Sequence, residues 1–288
     1  MSKVALILEG GGLRGLYSAG VLDFFASKNL LFDEVVGVSM GACNGASYIS
    51  NQPRRNFDIP YKMIDDARYL SYKRWFFGGD LFGMDFIFGE IPKSIDYFDF
   101  DAFTKSKTKF TAVTTDCVSG KPLYYDSFKN KEEFLQILKA SCSLPFISKP
   151  VKYESKSLFD GGISDAIPLI FSKKLDVQKY IYILTQPKEY KKSPFRFGWL
   201  ISLFYPKFKG LKEAMQRRDF DYNKTVEEVN ILEENGEIFV IRPKKALSAK
   251  RVERDKKKLK DTYDNGFVDA QNCYENLQKY LSLESHIS

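Results

Sequence analysis

The chain has a single histidine, His286, third from the end of its 288 residues. That scarcity excludes histidine-built metal centres and leaves a catalytic serine without its usual base. Cysteine is sparse too. Cys43, Cys117, Cys142 and Cys273 are scattered with no C-x-x-C pair, so structural zinc is not expected, and the thiols should be reduced and mostly buried. Long apolar runs are missing: no segment approaches the roughly 18 uninterrupted apolar residues that span a bilayer. The first run, Val4 to Leu8, ends at Glu9 and three glycines, which is too short for a signal-peptide core. A soluble, cytoplasmic protein is therefore expected. Repeats, low-complexity linkers and breaks in composition are also lacking, which predicts one domain over residues 1–288.

What is present is ordinary globular composition, 44% hydrophobic and 28% charged, with a formal net charge of +7. Part of that charge lies in RVERDKKKLK, residues 251–260, which taken alone reads as a solvated helix face. Binding to an anionic lipid surface or to nucleic acid are the alternatives for such a run.

Short apolar runs at 4–8, 34–38, 109–115, 180–184 and 238–241 predict strands, with 122–125 as the hairpin partner of the third. Helical spacing follows at 16–28, 40–49, 131–141, 211–234 and 262–283, and residues 51–107 read as short helices and loops. Alternating strand and helix predicts an α/β fold with three α/β/α layers and a mostly parallel central sheet.

Two glycine sites carry the chemistry. Gly37, Val38, Ser39, Met40 and Gly41 form G-x-S-x-G between a strand and a helix, the context of a nucleophile elbow. Gly10, Gly12 and Gly15 form G-x-G-x-x-G, which is also a dinucleotide fingerprint. The acidic candidates for a ribose contact, Asp33 and Glu34, stand at the wrong end of the second strand. The glycine run suits an anion instead, because a backbone without Cβ atoms can aim several N–H groups at one oxygen. Both sites follow adjacent strands and should meet at the carboxyl edge of the sheet. For the base, His286 belongs to the terminal ESHIS, no lysine is singled out, and Asp160 of Asp160-Gly161-Gly162 is the better candidate. A turn residue capping its own loop is the other reading of Asp160.

GGGLRG, GVSMG and DGG, in that order, resemble the patatin-like phospholipases, lipid acyl hydrolases with a Ser-Asp dyad. ASCSLPFISKPV before the last turn and ISDAIPL after it extend the likeness over about residues 4–186, leaving 187–288 as a C-terminal extension of helices and a strand. The compact chain resembles a bacterial, single-domain member. The resemblance implies Ser39 as nucleophile, Asp160 as general base, an oxyanion hole from the amides of Gly10, Gly11, Gly12 and Leu13, and Gly37 and Gly41 as the elbow glycines. Arg14 would orient the loop or face a substrate phosphate. Ala166 departs from the asparagine that the family often shows there. No metal or organic cofactor is implied, and no nucleic acid partner. Phospholipid, lysophospholipid or a related ester is the implied substrate, and a non-catalytic lipid-binding protein or a short-chain esterase or thioesterase are the alternatives.

An enzyme of this kind must reach a lipid surface. FRFGWLISLFYPKFKG, residues 195–210, suits an interfacial helix or lid with reversible association to an anionic membrane, and equally a core helix. RWFFGGDLFGMDFIF, residues 74–88, poses the same choice.

Overall fold

A computed structural model of the chain describes residues 2–282. It opens with β1 (Val4–Leu8), a 3-10 turn at Gly12–Gly15, α1 (Leu16–Ser27), β2 (Glu34–Val38) and α2 (Met40–Ile49). Next come α3 (Arg55–Met63), α4 (Tyr72–Phe76), a helix wound in π fashion at Phe86–Ile95 and α5 (Phe100–Lys105). The middle of the chain gives β3 (Lys109–Asp116), β4 (Pro122–Tyr125), α6 (Lys131–Ser141), β5 (Val151–Tyr153) and β6 (Lys156–Asp160). Last are α7 (Leu169–Ser172), β7 (Lys179–Ile183), α8 (Gly198–Phe204), α9 (Lys209–Glu234), β8 (Phe239–Ile241) and α10 (Lys256–Ser282).

Hydrogen-bonded neighbours run β5-β6-β3-β2-β1-β7-β8, with β4 also on β3. The strands from β3 to β8 along that path are parallel, while β4 and β6 run antiparallel to β3. This is the expected three-layer α/β/α fold. Its central strands are buried on both faces, as parallel strands must be when helices cover both sides. On β1, Leu6 and Leu8 join one apolar core, while Ala5 and Ile7 join the core on the opposite face.

The registers around β3 determine where the site forms. A strand has only two edges. β2 pairs with residues 109–113 and β4 with 112–115, so these two lie on opposite edges of β3. β6 pairs with 114–116, overlapping β4, so it takes the edge that β2 vacates. The carboxyl ends of β2 and β6 therefore meet head to head, and Ser39 and Asp160 are their terminal neighbours.

Three elements differ from the sequence expectation: β6, whose apolar part is only Leu158 and Phe159, β5 and the last helix. β5 was not expected, because three residues with a lysine in the middle are too few to display alternation. The last helix starts at Lys256 rather than 262, because the Asp255 carboxylate accepts from the amides of Lys257 and Lys258 at 2.8 and 3.3 Å and caps it. Arg251 consequently lies ahead of the helix. The thiols also differ from expectation, since only Cys117 is fully buried. α10 packs along α1 through Gly266, where a Cβ would fall 1.9 Å from the Tyr17 carbonyl oxygen.

Candidate active site

At the end of β2 the chain reverses into α2 through one residue. Ser39 makes that turn with φ 57° and ψ −128°, a conformation that L-residues rarely adopt and that marks stored strain. The flanking glycines provide the room: a Cβ on Gly41 would lie 2.6 Å from the Leu8 carbonyl oxygen, and one on Gly37 would lie 2.5 Å from the Ala42 Cα. The Ser39 amide donates to Ser141 Oγ at 2.9 Å, and that hydroxyl donates to the Val113 carbonyl at 2.7 Å. Fully buried Ser141, the last residue of α6, thus ties the elbow to β3. Sequence reasoning missed it, although the small-residue run ASCS was the available signal. Since Ser39 caps α2, the positive end of that helix faces its side chain.

Asp160 is buried beside it. Its Oδ1 accepts from the Gly162 amide at 2.7 Å. Burial pushes the Asp160 pKa up, while the neighbouring Ser39 hydroxyl, the Gly162 amide and the charge of Arg218 pull the other way. The sum leaves a carboxylate more basic than one in water. Arg218 Nε donates to the Gly162 carbonyl at 2.7 Å and so pins the DGG turn from α9.

Further along this turn, Asp165 accepts from the Tyr124 hydroxyl at 2.7 Å, and burial raises its pKa from 3.8 to about 6. Because the folded state keeps this proton longer, the stability it contributes is full below pH 3.8 and lost as pH rises through about 6. Asp165→Asn cannot ionise. Urea unfolding should find it more stable than wild type by up to about 3 kcal/mol at pH 7.5 and nearly equal at pH 3.5. An equal difference at both pH values would contradict this.

In the glycine loop, Gly12 adopts φ +56°, and a Cβ there would fall 2.6 Å from the Arg251 carbonyl oxygen. The Leu13 amide donates to that same carbonyl at 3.1 Å. Leu13 is thereby withdrawn from the expected set of oxyanion donors, because its N–H is already used. Among the described residues the amides of Gly10, Gly11 and Gly12 have no protein acceptor. A Cβ on Gly10 would meet the Ser39 Cβ at 3.0 Å, so this loop lies directly against the serine. Arg14 is half-buried, and its Nε has no protein partner.

Ser39 opens onto two cavities. One, of about 130 Å³, is walled by Met40, Ile59, Tyr69, Phe82, Met84, Phe98, Leu135, Leu138 and other largely apolar groups. The other is smaller and polar, lined by Glu9, Arg14, Asp160, Lys192, Arg218, Tyr222 and Arg251. Ser39, Gly12, Leu144 and Arg251 belong to both. Lys192, Arg218 and Arg251 were not anticipated. Arg251 in particular belonged to a run read as solvated helix face, whereas it walls the site. His286 lies outside the described residues. Among those described, no group of three or more His, Cys, Asp or Glu side chains is placed to hold a metal. Nor is any helix among them long and apolar enough to cross a membrane.

Comparison with known proteins bears on this geometry. A family model described as patatin-like phospholipase matches residues 6–171. The chain belongs to that family. A second model, a domain of unknown function, matches residues 208–282. The uncharacterized protein YjjU of Escherichia coli is 28% identical over 200 residues, covering 67% of this chain and 54% of YjjU. Lysophospholipase NTE1 of Debaryomyces hansenii is 25% identical over 225 residues, covering 72% of this chain and 13% of its own length. The chain therefore matches about half of the first relative and a small part of the second. VipD of Legionella pneumophila shares the fold at 11% identity with a TM-score of 0.52, over 96% of this chain and 67% of VipD. In this patatin-like chain, the Ser39–Asp160 contact and the glycine loop occupy one edge of the sheet.

Proposed function

We propose that the chain is a serine acyl hydrolase of lipid esters, with Ser39 as nucleophile and Asp160 as general base. The observation that carries this reading is the position of Ser39 between an apolar and a basic cavity, with the buried carboxylate of Asp160 beside it in the wall of the second. An amphiphilic ester fits that division, with its acyl chain on one side and its head on the other. Ser39 Oγ attacks the ester carbonyl as its proton passes to Asp160, and the oxyanion takes the free amides of Gly11 and Gly12. As the carbonyl re-forms, the alcohol leaves with the proton from Asp160, and the acyl group stays on Ser39. Water attacks next, giving its proton to the same carboxylate; the acyl–oxygen bond then breaks as Asp160 returns that proton to Ser39 Oγ, and the fatty acid is released. The apolar lining of the first cavity suits the acyl group of the ester. Hydrolysis of a p-nitrophenyl ester series of rising acyl length by wild type, Ser39→Ala and Asp160→Asn tests the reading. No turnover by wild type on any ester or on phospholipid vesicles would replace it with lipid binding alone.

Reversible docking on an anionic membrane belongs to the same proposal. α8 packs Gly198 and Ile201 inward but turns Trp199, Leu203 and Phe204 outward, which supports an interfacial role for that face. α4 likewise leaves Trp75 and Phe76 exposed, followed by Phe77. Phe146 joins the two: its carbonyl accepts from Trp75 Nε1 at 2.7 Å, and its ring packs edge-on to Phe204 at 5.9 Å. Leu144, two residues earlier, lines both cavities, so this aromatic rim adjoins their mouth. Each large side chain moved into the interface contributes about 2 kcal/mol. The double change Trp199→Ser and Phe204→Ser should therefore weaken binding to phosphatidylglycerol vesicles in flotation by about 1000-fold. Unchanged flotation of the variant, or none by wild type, would remove the docking proposal.

A further inference from the structure

The polar cavity beside Ser39 holds an unusual concentration of one charge. Arg14, Lys192, Arg218 and Arg251 face it, against two carboxylates, Glu9 and Asp160. Among the described residues, none of the four cations has a carboxylate within ion-pair distance. Glu9 is already engaged by other donors: the Thr185 amide at 2.6 Å, its hydroxyl at 3.1 Å and the Tyr222 hydroxyl at 2.8 Å. Arg218 spends only its Nε on protein, leaving the rest of its guanidinium for the cavity. The Lys192 ammonium rests 3.7 Å from the Tyr222 ring centroid, and its backbone is clipped to α9 by both ends of the Asn223 amide, at 2.8 and 3.0 Å. The buried Arg14 Nε has no partner at all. Arg14, Lys192 and Arg218 lose much of their hydration to burial, and none of the four cations is paired with a carboxylate, an arrangement that costs stability unless a ligand fills it.

Resting on the proposed acyl hydrolase reading, we infer that this cavity is a phosphomonoester site, and that the substrate is an acylated phosphomonoester of the lysophosphatidate kind rather than a choline or ethanolamine lipid. Four cations against two carboxylates leave two positive charges, which a phosphomonoester of charge about −1.5 to −2 matches. A phosphodiester brings only one negative charge, and a quaternary ammonium head would set a fifth cation among four. Three of the four cations, Lys192, Arg218 and Arg251, lie beyond residue 171, where the patatin-like match ends. Head selection is thus supplied by the C-terminal part of the chain, and Ser39 by the N-terminal part.

The test compares kcat/KM for octanoyl lysophosphatidate, octanoyl lysophosphatidylcholine and monooctanoylglycerol, all below their micelle concentrations so that surface charge does not enter. Wild type should favour the phosphomonoester over the neutral lipid by 100-fold or more. Arg251→Met and Lys192→Met, made separately, should each cut that ratio by roughly 10- to 100-fold, the worth of one charge-assisted hydrogen bond. Inorganic phosphate should raise the melting temperature of wild type and do so less in either variant. Equal turnover of the choline or neutral lipid overturns the inference and leaves the hydrolase reading standing. Stabilisation by phosphate without preference for the phosphomonoester also overturns it, since the cavity would then serve free phosphate. Turnover of none of the three overturns the inference, and the p-nitrophenyl ester series then decides separately whether the hydrolase reading stands.

Discussion

Replacing Ser39 with alanine is expected to lower kcat/KM on a p-nitrophenyl acyl ester by roughly 10⁴-fold or more, and Asp160→Asn should approach the same loss. The two fall together because they act as one unit: the serine is a poor nucleophile until a base takes its proton, and the base has no other task. The stability of the variants separates this from simple misfolding. Asp160 is a carboxylate whose pKa burial has raised, so the stability it contributes is present at low pH and lost as pH rises through its folded value. At pH 7.5 the ionised group is a cost. A neutral amide at this position would not incur it, and its oxygen would still accept from the Gly162 amide. Asp160→Asn should therefore melt above wild type at pH 7.5, with the gap closing in acid, while turnover is lost. For the same reason the acid limb of kcat/KM in wild type should lie above the ordinary carboxylate range. His286→Ala should follow wild type in both measurements. Retention of more than about a tenth of activity by Asp160→Asn would assign the base elsewhere.

The parts of the molecule legible in the sequence are those with local causes. A short apolar run, a glycine turn and a helical stripe each occupy consecutive residues, so β1, β2, α1 and α2 and the two glycine sites between them could be read directly. Asp160 could be named from its glycine turn, but not the reason it reaches Ser39. That depends on β6 taking the edge of β3 that β2 leaves free, a register set by pairing between residues 40 or more positions apart. Ser141 and Arg251 were hidden for a related cause. Each looks ordinary in its own segment, and each acquires a role only from a partner far along the chain, the Ser39 amide for one and the Leu13 amide for the other. The lysine run after Arg251 misled because composition cannot say where a helix begins. Asp255 caps α10 four residues later, and Arg251, ahead of the helix, is held at the site by its carbonyl's bond from the Leu13 amide.

Gly12→Ala should lower kcat by roughly 10²- to 10³-fold with little change in KM, the loss that follows removal of one oxyanion donor. Two constraints meet at this residue. Its φ of +56° is open to glycine and strained for alanine, and an added Cβ would press on the Arg251 carbonyl at 2.6 Å. That carbonyl cannot retreat freely, because it holds the Leu13 amide at 3.1 Å and so fixes the start of the turn leading to α1. The strain is relieved most readily by rotating the peptide planes on either side of Gly12, which swings the free amides of Gly11 and Gly12 away from Ser39. Gly12 touches the apolar cavity only at its junction with the polar one, and most of the wall, Ile59, Tyr69, Phe82, Met84, Leu135 and Leu138 among it, comes from other elements, so KM should change little. Reaction with a fluorophosphonate distinguishes a lost oxyanion site from a displaced serine or base. Its phosphoryl oxygen also gains charge during attack, so the rate of covalent labelling at Ser39 should fall in step with kcat. A variant that labels at the wild-type rate but does not turn over would place the defect in hydrolysis of the acyl-enzyme, and the glycine amides would lose their proposed role in the attack on the ester.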